Sequence, residues 1–292
     1  MADRVGSDAR SVKLRGFYAS LVAGQSAAAD GRIEEAFAAV PREPFAGPGP
    51  WSILAANVWR SRDRGSPYVT TPDDDPAFLY QDVLVALDAA RSINIGQPSL
   101  HALCLDALAP QPGETAIQVG TGSGYYTALL AHLVGPEGQV HGFEIDPGLA
   151  ERTARNLAPW PWARVEARSG ASDGLPQADA IYVNAGAPRP APAWLDALRP
   201  DGRLLFPLQP RYGRGGMLLI RKVAGAAAWP ARFVSPSVFI PLQGLPEADT
   251  EGLSEAFARG PLMAVRAIRF GEKPDASCWY DGGDWWLSTR AP

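Results

Sequence analysis

Strand and helix patterns alternate through the middle of this chain, and this alternation constrains the fold more than any other feature. Strand patterns cover residues 115–119, 139–144, 163–168, 178–184 and 202–207, and helix patterns at 98–108, 125–134, 149–157 and 193–198 accompany them. This spacing predicts an α/β fold with a doubly wound, mostly parallel sheet of the Rossmann type. Two later strand patterns, 217–223 and 233–242, are expected to close the sheet edge in antiparallel orientation.

The flanking regions carry weaker patterns. Helices are predicted at 11–30 and 32–40, a long Pro- and Gly-rich loop at 46–76, a helix at 250–259, a strand at 263–270 and a hairpin turn at 281–283. We therefore expect an N-terminal helical cap region (1–97), a Rossmann-like domain (98–242) and a small α+β C-terminal extension (243–292).

Composition excludes several classes of protein. The 292 residues are 46% hydrophobic and 20% charged, as in ordinary globular domains. No apolar run reaches the roughly 18 residues of a membrane span, and the polar N-terminus predicts a cytoplasmic protein. A net charge of −4 argues against a nucleic-acid partner, and the basic cluster Arg60, Arg62 and Arg64 is interpreted as part of a solvated loop. Two cysteines are too few for a disulfide framework or a metal cluster, so no metal is expected.

A glycine-rich turn follows the strand at 115–119. Residues 116–127 read Ala-Ile-Gln-Val-Gly-Thr-Gly-Ser-Gly-Tyr-Tyr-Thr, with glycines at 120, 122 and 124. Glycine lets the chain turn sharply and lets the backbone approach a ligand. A dinucleotide fingerprint needs Gly or Ala at position 125, beside the pyrophosphate, whereas Tyr125 stands here. The turn favours a ligand without a pyrophosphate, such as S-adenosylmethionine, over a nicotinamide cofactor.

Glu144 ends the next strand, 20 residues after Gly124. A carboxylate at that strand end can accept hydrogen bonds from both ribose hydroxyls of an adenosine. The alternative is a solvated acid at the end of a strand. Together with Tyr125 and the glycines, Glu144 predicts binding of S-adenosylmethionine.

Beyond the glycine turn, the sequence resembles the protein-L-isoaspartate O-methyltransferase family. Residues 33–45 (Ile-Glu-Glu-Ala-Phe-Ala-Ala-Val-Pro-Arg-Glu-Pro-Phe) resemble its N-terminal signature. Further likenesses lie at 79–82 and 95–102 (substrate-side loop), 179–188 and 198–207 (fourth and fifth strands) and 239–242 (closing strand). The resemblance covers roughly 30–45 and 79–242. It implies a class I methyltransferase that uses S-adenosylmethionine to methylate carboxyl groups of Asp or isoAsp in a peptide or protein.

The chain also departs from the family pattern. Gln118 replaces an acidic residue, and 94–98 reads Asn-Ile-Gly-Gln-Pro where the family has Thr-Ile-Ser-Gln-Pro, so Gly96 replaces the Ser. Ser169-Gly170-Ala171 aligns with a Gly-Asp-Gly element, and its acid is lost unless Asp173 replaces it. The loop 46–76 and the tail 243–292 have no counterpart in the ordinary repair enzyme. These departures favour a specialised enzyme, for example one acting on a dedicated peptide whose methyl ester then closes to an aspartimide.

The resemblance and the glycine turn together predict the residues of the acceptor site and the cofactor site. On the acceptor side they are Asn94, Gly96, Gln97 and His101. On the cofactor side they are Gln118, Gly120, Thr121, Gly122, Ser123, Gly124, Tyr125, Glu144, Ile145, Gly170, Ala171 and Asn184.

Several of these residues have a second, structural interpretation. His101 could orient a carboxylate or act as a base, but a packed helix histidine is equally ordinary. Asn94 and Gln97 could bind the acceptor backbone or stabilise their own loop, and Asp82 is more typical of a cap than of a catalytic acid. The aromatic residues of the tail are expected to pack in a core rather than to form a peptide platform: Trp279, Tyr280, Trp285 and Trp286. A carboxylate acceptor is already ionised at neutral pH, so no general base is required.

Two alternatives remain open. The scaffold could serve a methyltransferase of a small metabolite's oxygen or nitrogen, for which a deep closed pocket is expected, whereas a peptide needs an open groove. It could also be a non-catalytic module that binds S-adenosylmethionine. The sequence does not indicate an oligomeric state.

Overall fold

The fold was analysed in a computed structural model that describes residues 2–55, 68–211, 213–245 and 250–292. The helices are α1 (Ala2–Ser26), α2 (Gly31–Ala39), α3 (Glu43–Ala46), α4 (Pro98–Leu108), α5 (Tyr125–Val134), α6 (Pro147–Asn156), α7 (Pro192–Ala197) and α8 (Glu251–Arg259). The first nine strands are β1 (Ser52–Ala55), β2 (Val69–Thr70), β3 (Val83–Asp88), β4 (Ile93–Asn94), β5 (Thr115–Val119), β6 (Gln139–Glu144), β7 (Ala163–Ala167), β8 (Ala178–Val183) and β9 (Leu198–Leu208). The remaining strands are β10 (Gly215–Arg221), β11 (Ala228–Ser237), β12 (Ala267–Phe270), β13 (Cys278–Asp281) and β14 (Trp285–Ser288).

A ten-stranded sheet forms the centre of the molecule, in the order β13-β14-β12-β11-β10-β9-β8-β5-β6-β7. The five strands β9-β8-β5-β6-β7 are parallel, which confirms the predicted doubly wound sheet. Strand β5 lies between β6 and β8, where the strand order reverses. In such sheets ligands bind beyond the carboxyl ends of the strands at this switch point. The glycine turn that follows β5 lies at that place.

The antiparallel half of the sheet includes the C-terminal tail. Strands β10 and β11 close the parallel half as predicted, and β12, β14 and β13 continue the same sheet beyond them. The predicted strand at 233–242 was wrong in its second half, because β11 ends at Ser237. The predicted strand at 263–270 begins instead with the 3-10 turn Leu262–Ala264. The hairpin between β13 and β14 is confirmed.

Two hydrophobic cores are formed by the buried side chains. One packs helices α1, α2, α4 and α5 against the sheet and includes Tyr18, Phe37 and Tyr125. The other includes Trp194, Phe233, Trp279 and Trp285. The burial of Trp279 and Trp285 confirms that the tail aromatics pack in a core. The helix predicted at 11–30 is also confirmed, although Val12 and Phe17 are exposed and its buried side is Tyr18, Ala19 and Val22.

The region predicted as a long loop, 46–76, contains regular structure. Strands β1 and β2 join β3 and β4 in a second sheet of order β2-β1-β3-β4, with Ile53 opposite Val85. The prediction of a loop was wrong because the partner strand β3 lies 30 residues away and leaves no local periodicity at 52–55. The basic cluster Arg60, Arg62 and Arg64 lies outside the described residues.

Among the helices within residues 2–55, 68–211, 213–245 and 250–292, none is both long and apolar enough to cross a bilayer. The same part of the chain has no group of three or more His, Cys, Asp or Glu side chains placed to hold a metal ion.

Candidate active site

The turn after β5 holds three glycines in the left-handed region, Gly120 (φ 77°), Gly122 (φ 58°) and Gly124 (φ 92°). L-residues with a side chain rarely adopt these angles. A Cβ at Gly124 would lie 2.9 Å from Thr153 Cγ2, so this glycine allows α5 to start close against α6. A Cβ at Gly122 would meet Leu87 Cδ1 at 3.4 Å, an ordinary contact. Gly122 is therefore required for its backbone angle and for the space beside it.

Glu144 reaches back to this turn from the end of β6. The β5–β6 register pairs Val119 with Phe143 and so brings Glu144 beside the turn. One carboxylate oxygen accepts from the Gly122 N–H at 2.8 Å and the other from the Asp146 N–H at 3.1 Å. The side chain is buried, and burial raises the pKa of Glu144, partly opposed by these two hydrogen bonds. Each oxygen keeps a further lone pair for another donor.

A cavity of about 370 Å³, the smaller cavity, opens beside Glu144 at the carboxyl ends of β5, β6 and β8. Its lining residues include Arg91, Val119, Gly120, Gly122, Phe143, Glu144, Ile145, Ser169, Gly170, Asn184 and Ile240. Buried Asn184 Oδ1 has no hydrogen-bond partner among the described residues. The smaller cavity thus combines bare backbone, a carboxylate and an unpaired acceptor.

A second cavity of about 660 Å³, the larger cavity, lies on the other side of the turn. It is lined by segments from distant parts of the chain: the end of α1, β1, residues 94–103, the glycine turn, Arg214 and residues 235–240. The two cavities share five lining residues, Asn94, Gly120, Gly122, Asn184 and Ile240. A ligand in the smaller cavity can therefore meet a ligand in the larger one at this junction.

His101 on α4 forms part of the larger cavity's wall, and two neighbouring side chains hold its ring. Its ring stacks on Tyr126 with centroids 3.5 Å apart and planes 9° apart. Its Nδ1 is hydrogen-bonded to the Tyr182 hydroxyl at 2.6 Å. Burial, with a smaller effect of the Arg42 charge, lowers the pKa of His101 to about 3, so the imidazole is neutral at physiological pH.

Gly96 stands where the family pattern has a serine, and it lies against the His101 ring. Gly96 has φ 88°, and a Cβ there would overlap His101 Nε2. The ring cannot easily move away because Tyr126 and Tyr182 hold it. A serine at position 96 would therefore be strained in this arrangement.

Asp82 holds the start of α4, and Arg42 holds the segment that carries Asp82. Asp82 accepts from the Ser99 backbone N–H at 2.8 Å and from the Gln97 amide at 2.9 Å, so it caps the helix. The fully buried Arg42 guanidinium donates to three backbone carbonyls, those of Leu79, Gln81 and Val83. The cap interpretation of Asp82 is confirmed.

The amides of Asn94 and Gln97 are hydrogen-bonded to other residues of the protein. Asn94 Oδ1 accepts from the Gly96 N–H at 2.8 Å, and its amide nitrogen donates to the Ser92 carbonyl at 3.1 Å. Gln97 Nε2 donates to Asp82 and to Ser99 Oγ. Both residues still line the larger cavity.

The remaining predicted cofactor residues differ in which cavity they line. Thr121, Ser123 and Tyr125 line the larger cavity, and Ile145 lies exposed at the smaller one. Gln118 and Ala171 line neither cavity.

Gln118 lines neither cavity because its side chain is buried in the core. Its side-chain oxygen accepts from Thr127 Oγ1 at 2.5 Å inside the core, and its Nε2 has no partner among the described residues. Tyr125 turns toward the aromatic rings of Phe37 and Phe45, which explains the bulky residue at this position.

Sequence reasoning missed Arg91, Arg214 and Ser237. Arg91 lines the smaller cavity and pairs with Asp88 at 2.6 Å and Asp146 at 2.8 Å. Arg214 and Ser237 line the larger cavity from the ends of β10 and β11. No local motif marks any of them, since only the tertiary fold brings them to the cavities.

Comparison with known proteins agrees with this geometry. A model of the family described as protein-L-isoaspartate(D-aspartate) O-methyltransferase (PCMT) matches residues 54–246. A protein-L-isoaspartate O-methyltransferase of Anaeromyxobacter dehalogenans is 36% identical over 186 residues, 60% of this chain and 87% of that protein. One of Ignicoccus hospitalis is 31% identical over 175 residues, 59% of this chain and 81% of that protein.

Solved structures show the same fold. A structure described as a protein-L-isoaspartate O-methyltransferase has a TM-score of 0.57 at 22% identity, over 79% of this chain and 66% of that chain. A Plasmodium falciparum structure with the same enzyme description, in complex with S-adenosyl-L-homocysteine, has a TM-score of 0.58 at 19% identity, over 78% of this chain and 98% of that chain.

The extent of the family match refines the sequence expectation. The N-terminal likeness at 30–45 precedes the matched residues, and the tail after 246 follows them, whereas most of the segment 46–76 falls inside. The match spans the glycine turn, Glu144 and both cavities' shared residues. The chain belongs to the protein-L-isoaspartate O-methyltransferase family and is an S-adenosylmethionine-dependent methyltransferase.

Proposed function

We propose that the smaller cavity binds the adenosine of S-adenosylmethionine. The residues present fit this group. Glu144 offers free lone pairs to two ribose hydroxyls, and Phe143, Ile145 and Gly170 provide apolar surface for a purine. The unpaired Asn184 Oδ1 offers an acceptor at the junction. When bound, S-adenosylmethionine supplies an electrophilic methyl group on its sulfonium sulfur.

The acceptor in this proposal is a carboxylate of Asp or isoAsp within a peptide or protein, bound in the larger cavity. The observation that carries it is the junction of the two cavities at Asn94, Gly120, Gly122, Asn184 and Ile240. A carboxylate needs positioning and exclusion of water rather than deprotonation. His101, whose pKa is lowered to about 3, is too weak a base to take a proton from an acceptor. A carboxylate acceptor is already ionised and does not require such a base.

The shape of the larger cavity favours a chain over a small metabolite. Its rim includes exposed side chains, among them Arg214, Val238 (42% exposed) and Ile240 (40% exposed). A metabolite site buries most of its ligand in a closed pocket. An open rim with apolar side chains leaves room for residues on both sides of the acceptor.

We further propose that the enzyme is specialised for a dedicated peptide. Gly96 stands where the family pattern has a serine, and the His101 ring fills the adjoining space. At this wall the acceptor therefore contacts an imidazole instead of a serine hydroxyl. In one such role the methyl ester would be attacked by the next backbone nitrogen, which closes an aspartimide and releases methanol.

The test is methylation with a donor labelled on its methyl group. We expect base-labile label on an Asp or isoAsp peptide, because esters hydrolyse in mild base. Base-stable label on any acceptor would contradict carboxyl methylation and favour the small-metabolite alternative. Absence of S-adenosylhomocysteine binding would contradict the cofactor assignment itself.

A further inference from the structure

The wall of the larger cavity opposite α4 is built by the ends of two antiparallel strands. Gly215 at the start of β10 lies opposite Ser237 at the end of β11. Arg214, which precedes Gly215, and Ser237 both line the cavity. A cationic and a hydroxyl side chain therefore belong to the same part of the cavity wall.

Both side chains lack partners. Arg214 is exposed and forms no ion pair with the described residues. Ser237 is 8% exposed, and its Oγ has no hydrogen-bond partner in the part of the chain that the structure describes. Burying a hydroxyl without a partner costs free energy, so the Ser237 hydroxyl is available to a ligand group that enters the cavity.

The charge on the described residues that line the larger cavity is of one sign only. Among the described residues that line it, Arg214 alone carries a formal charge, since His101 is neutral. Arg214 does not line the smaller cavity and is not among the five junction residues. It is therefore separate from the place where the methylated carboxylate must lie.

We propose that Arg214 and Ser237 bind a second carboxylate of the acceptor peptide, on an acidic side chain close to the methylated residue. This inference rests on the proposed function, and it makes the substrate an acidic peptide. The guanidinium supplies a planar pair of N–H donors and Ser237 a hydroxyl donor, which together suit a carboxylate.

The experiment compares methylation of matched peptides. Each carries one Asp or isoAsp acceptor, and a single Glu or Gln occupies one of the three positions on either side. For at least one position we expect the Glu peptide to have a kcat/KM about fivefold above the Gln peptide, the upper range for a solvent-exposed ion pair. Arg214→Gln should abolish this preference, so that the Glu and Gln peptides have the same kcat/KM, while Arg214→Lys should keep part of it.

Controls separate binding from folding and from the proposed function. Arg232→Gln changes another exposed arginine, on β11 outside both cavities, and should retain the preference. Ser237→Ala should reduce it. Equal rates for Glu and Gln peptides at every position, with base-labile label on both, would overturn this inference and leave the proposed function intact. An equal loss on both peptides in Arg214→Gln would also overturn it. No ester on any peptide would instead contradict the proposed function.

Discussion

The two cavities of this enzyme are built in different ways. The smaller cavity lies at the strand ends around Glu144, within the parallel half of the sheet. The larger cavity is lined by residues of α1, β1, α4, the glycine turn and β11 together with Arg214, and it contains an unpaired cation and no acidic residue among the described lining residues. The smaller cavity contains the acids Glu144 and Asp146 beside Arg91, whereas the larger cavity contains Arg214. This difference suits the ligands proposed for them, a sulfonium nucleoside in the smaller cavity and a peptide carboxylate in the larger one.

The largest expected effect is on the side of the smaller cavity. Replacing Gly122 with Val places a branched side chain at φ 58° and into the space that both cavities share. We expect S-adenosylhomocysteine affinity to fall about 100-fold or more, a loss of about 3 kcal/mol measured by titration calorimetry. Gly113→Val is the matched control, since Gly113 has φ 82° in open space away from both cavities. Comparable losses in both variants would show that strain, and not the cavity, is responsible.

Glu144→Ala should weaken S-adenosylhomocysteine binding by about 1–3 kcal/mol, because hydrogen bonds from the ribose hydroxyls to a buried charge are lost. The same variant removes the acceptor for the Gly122 and Asp146 N–H groups, so its thermal stability should be recorded alongside. Binding that is unchanged would remove Glu144 from the site.

Glu144 also predicts a pH dependence. Because burial raises its pKa, the carboxylate becomes protonated at a higher pH than an ordinary Glu does as the solution is acidified. The neutral acid is a weaker acceptor, so S-adenosylhomocysteine affinity should fall from pH 7 toward pH 5. Calorimetry across this range should show the fall in the wild type and a flat profile in Glu144→Gln. A flat wild-type profile would contradict the role of the ionised carboxylate.

Gly96→Ser should act on the larger cavity and spare the smaller one. A side chain at φ 88° overlaps the held ring of His101, with strain of about 1–3 kcal/mol. We expect peptide kcat/KM to fall about tenfold, which corresponds to about 1.4 kcal/mol and lies within this range of strain. The affinity for S-adenosylhomocysteine should stay within about twofold of the wild type. If the Gly96→Ser variant methylated ordinary isoAsp peptides faster than the wild type, Gly96 would determine which substrate is accepted and would not be needed for the local geometry.

A further effect concerns the hydrogen bond that holds His101. Tyr182→Phe removes the 2.6 Å bond to Nδ1 and leaves a buried nitrogen unpaired, which costs about 1–3 kcal/mol of stability. Tyr18→Phe is the matched control, since the Tyr18 and Tyr125 hydroxyls are 3.5 Å apart. Thermal unfolding and peptide kcat/KM should both decline more in Tyr182→Phe. Equal declines would indicate that the His101 hydrogen bond is unimportant.

The two cavities also differ in how far the sequence predicts them. Gly120, Gly122 and Glu144 were predictable because the turn has its own residue pattern and the next strand must lie beside it. Tyr125 was predicted at the cofactor, yet it lines the larger cavity, because its ring packs among Phe37 and Phe45 in a layer that no local pattern reveals. Arg214 and Ser237 became visible only through the β10–β11 register, and β1 only through its pairing with β3.

The most direct test of the two-cavity account is an experimental structure with S-adenosylhomocysteine bound. We expect both ribose hydroxyls within hydrogen-bond distance of Glu144, about 3 Å, and the sulfur beside Gly122 and Asn184, facing the larger cavity. A nucleoside bound elsewhere, or a sulfur turned away from the larger cavity, would contradict methyl transfer across this junction.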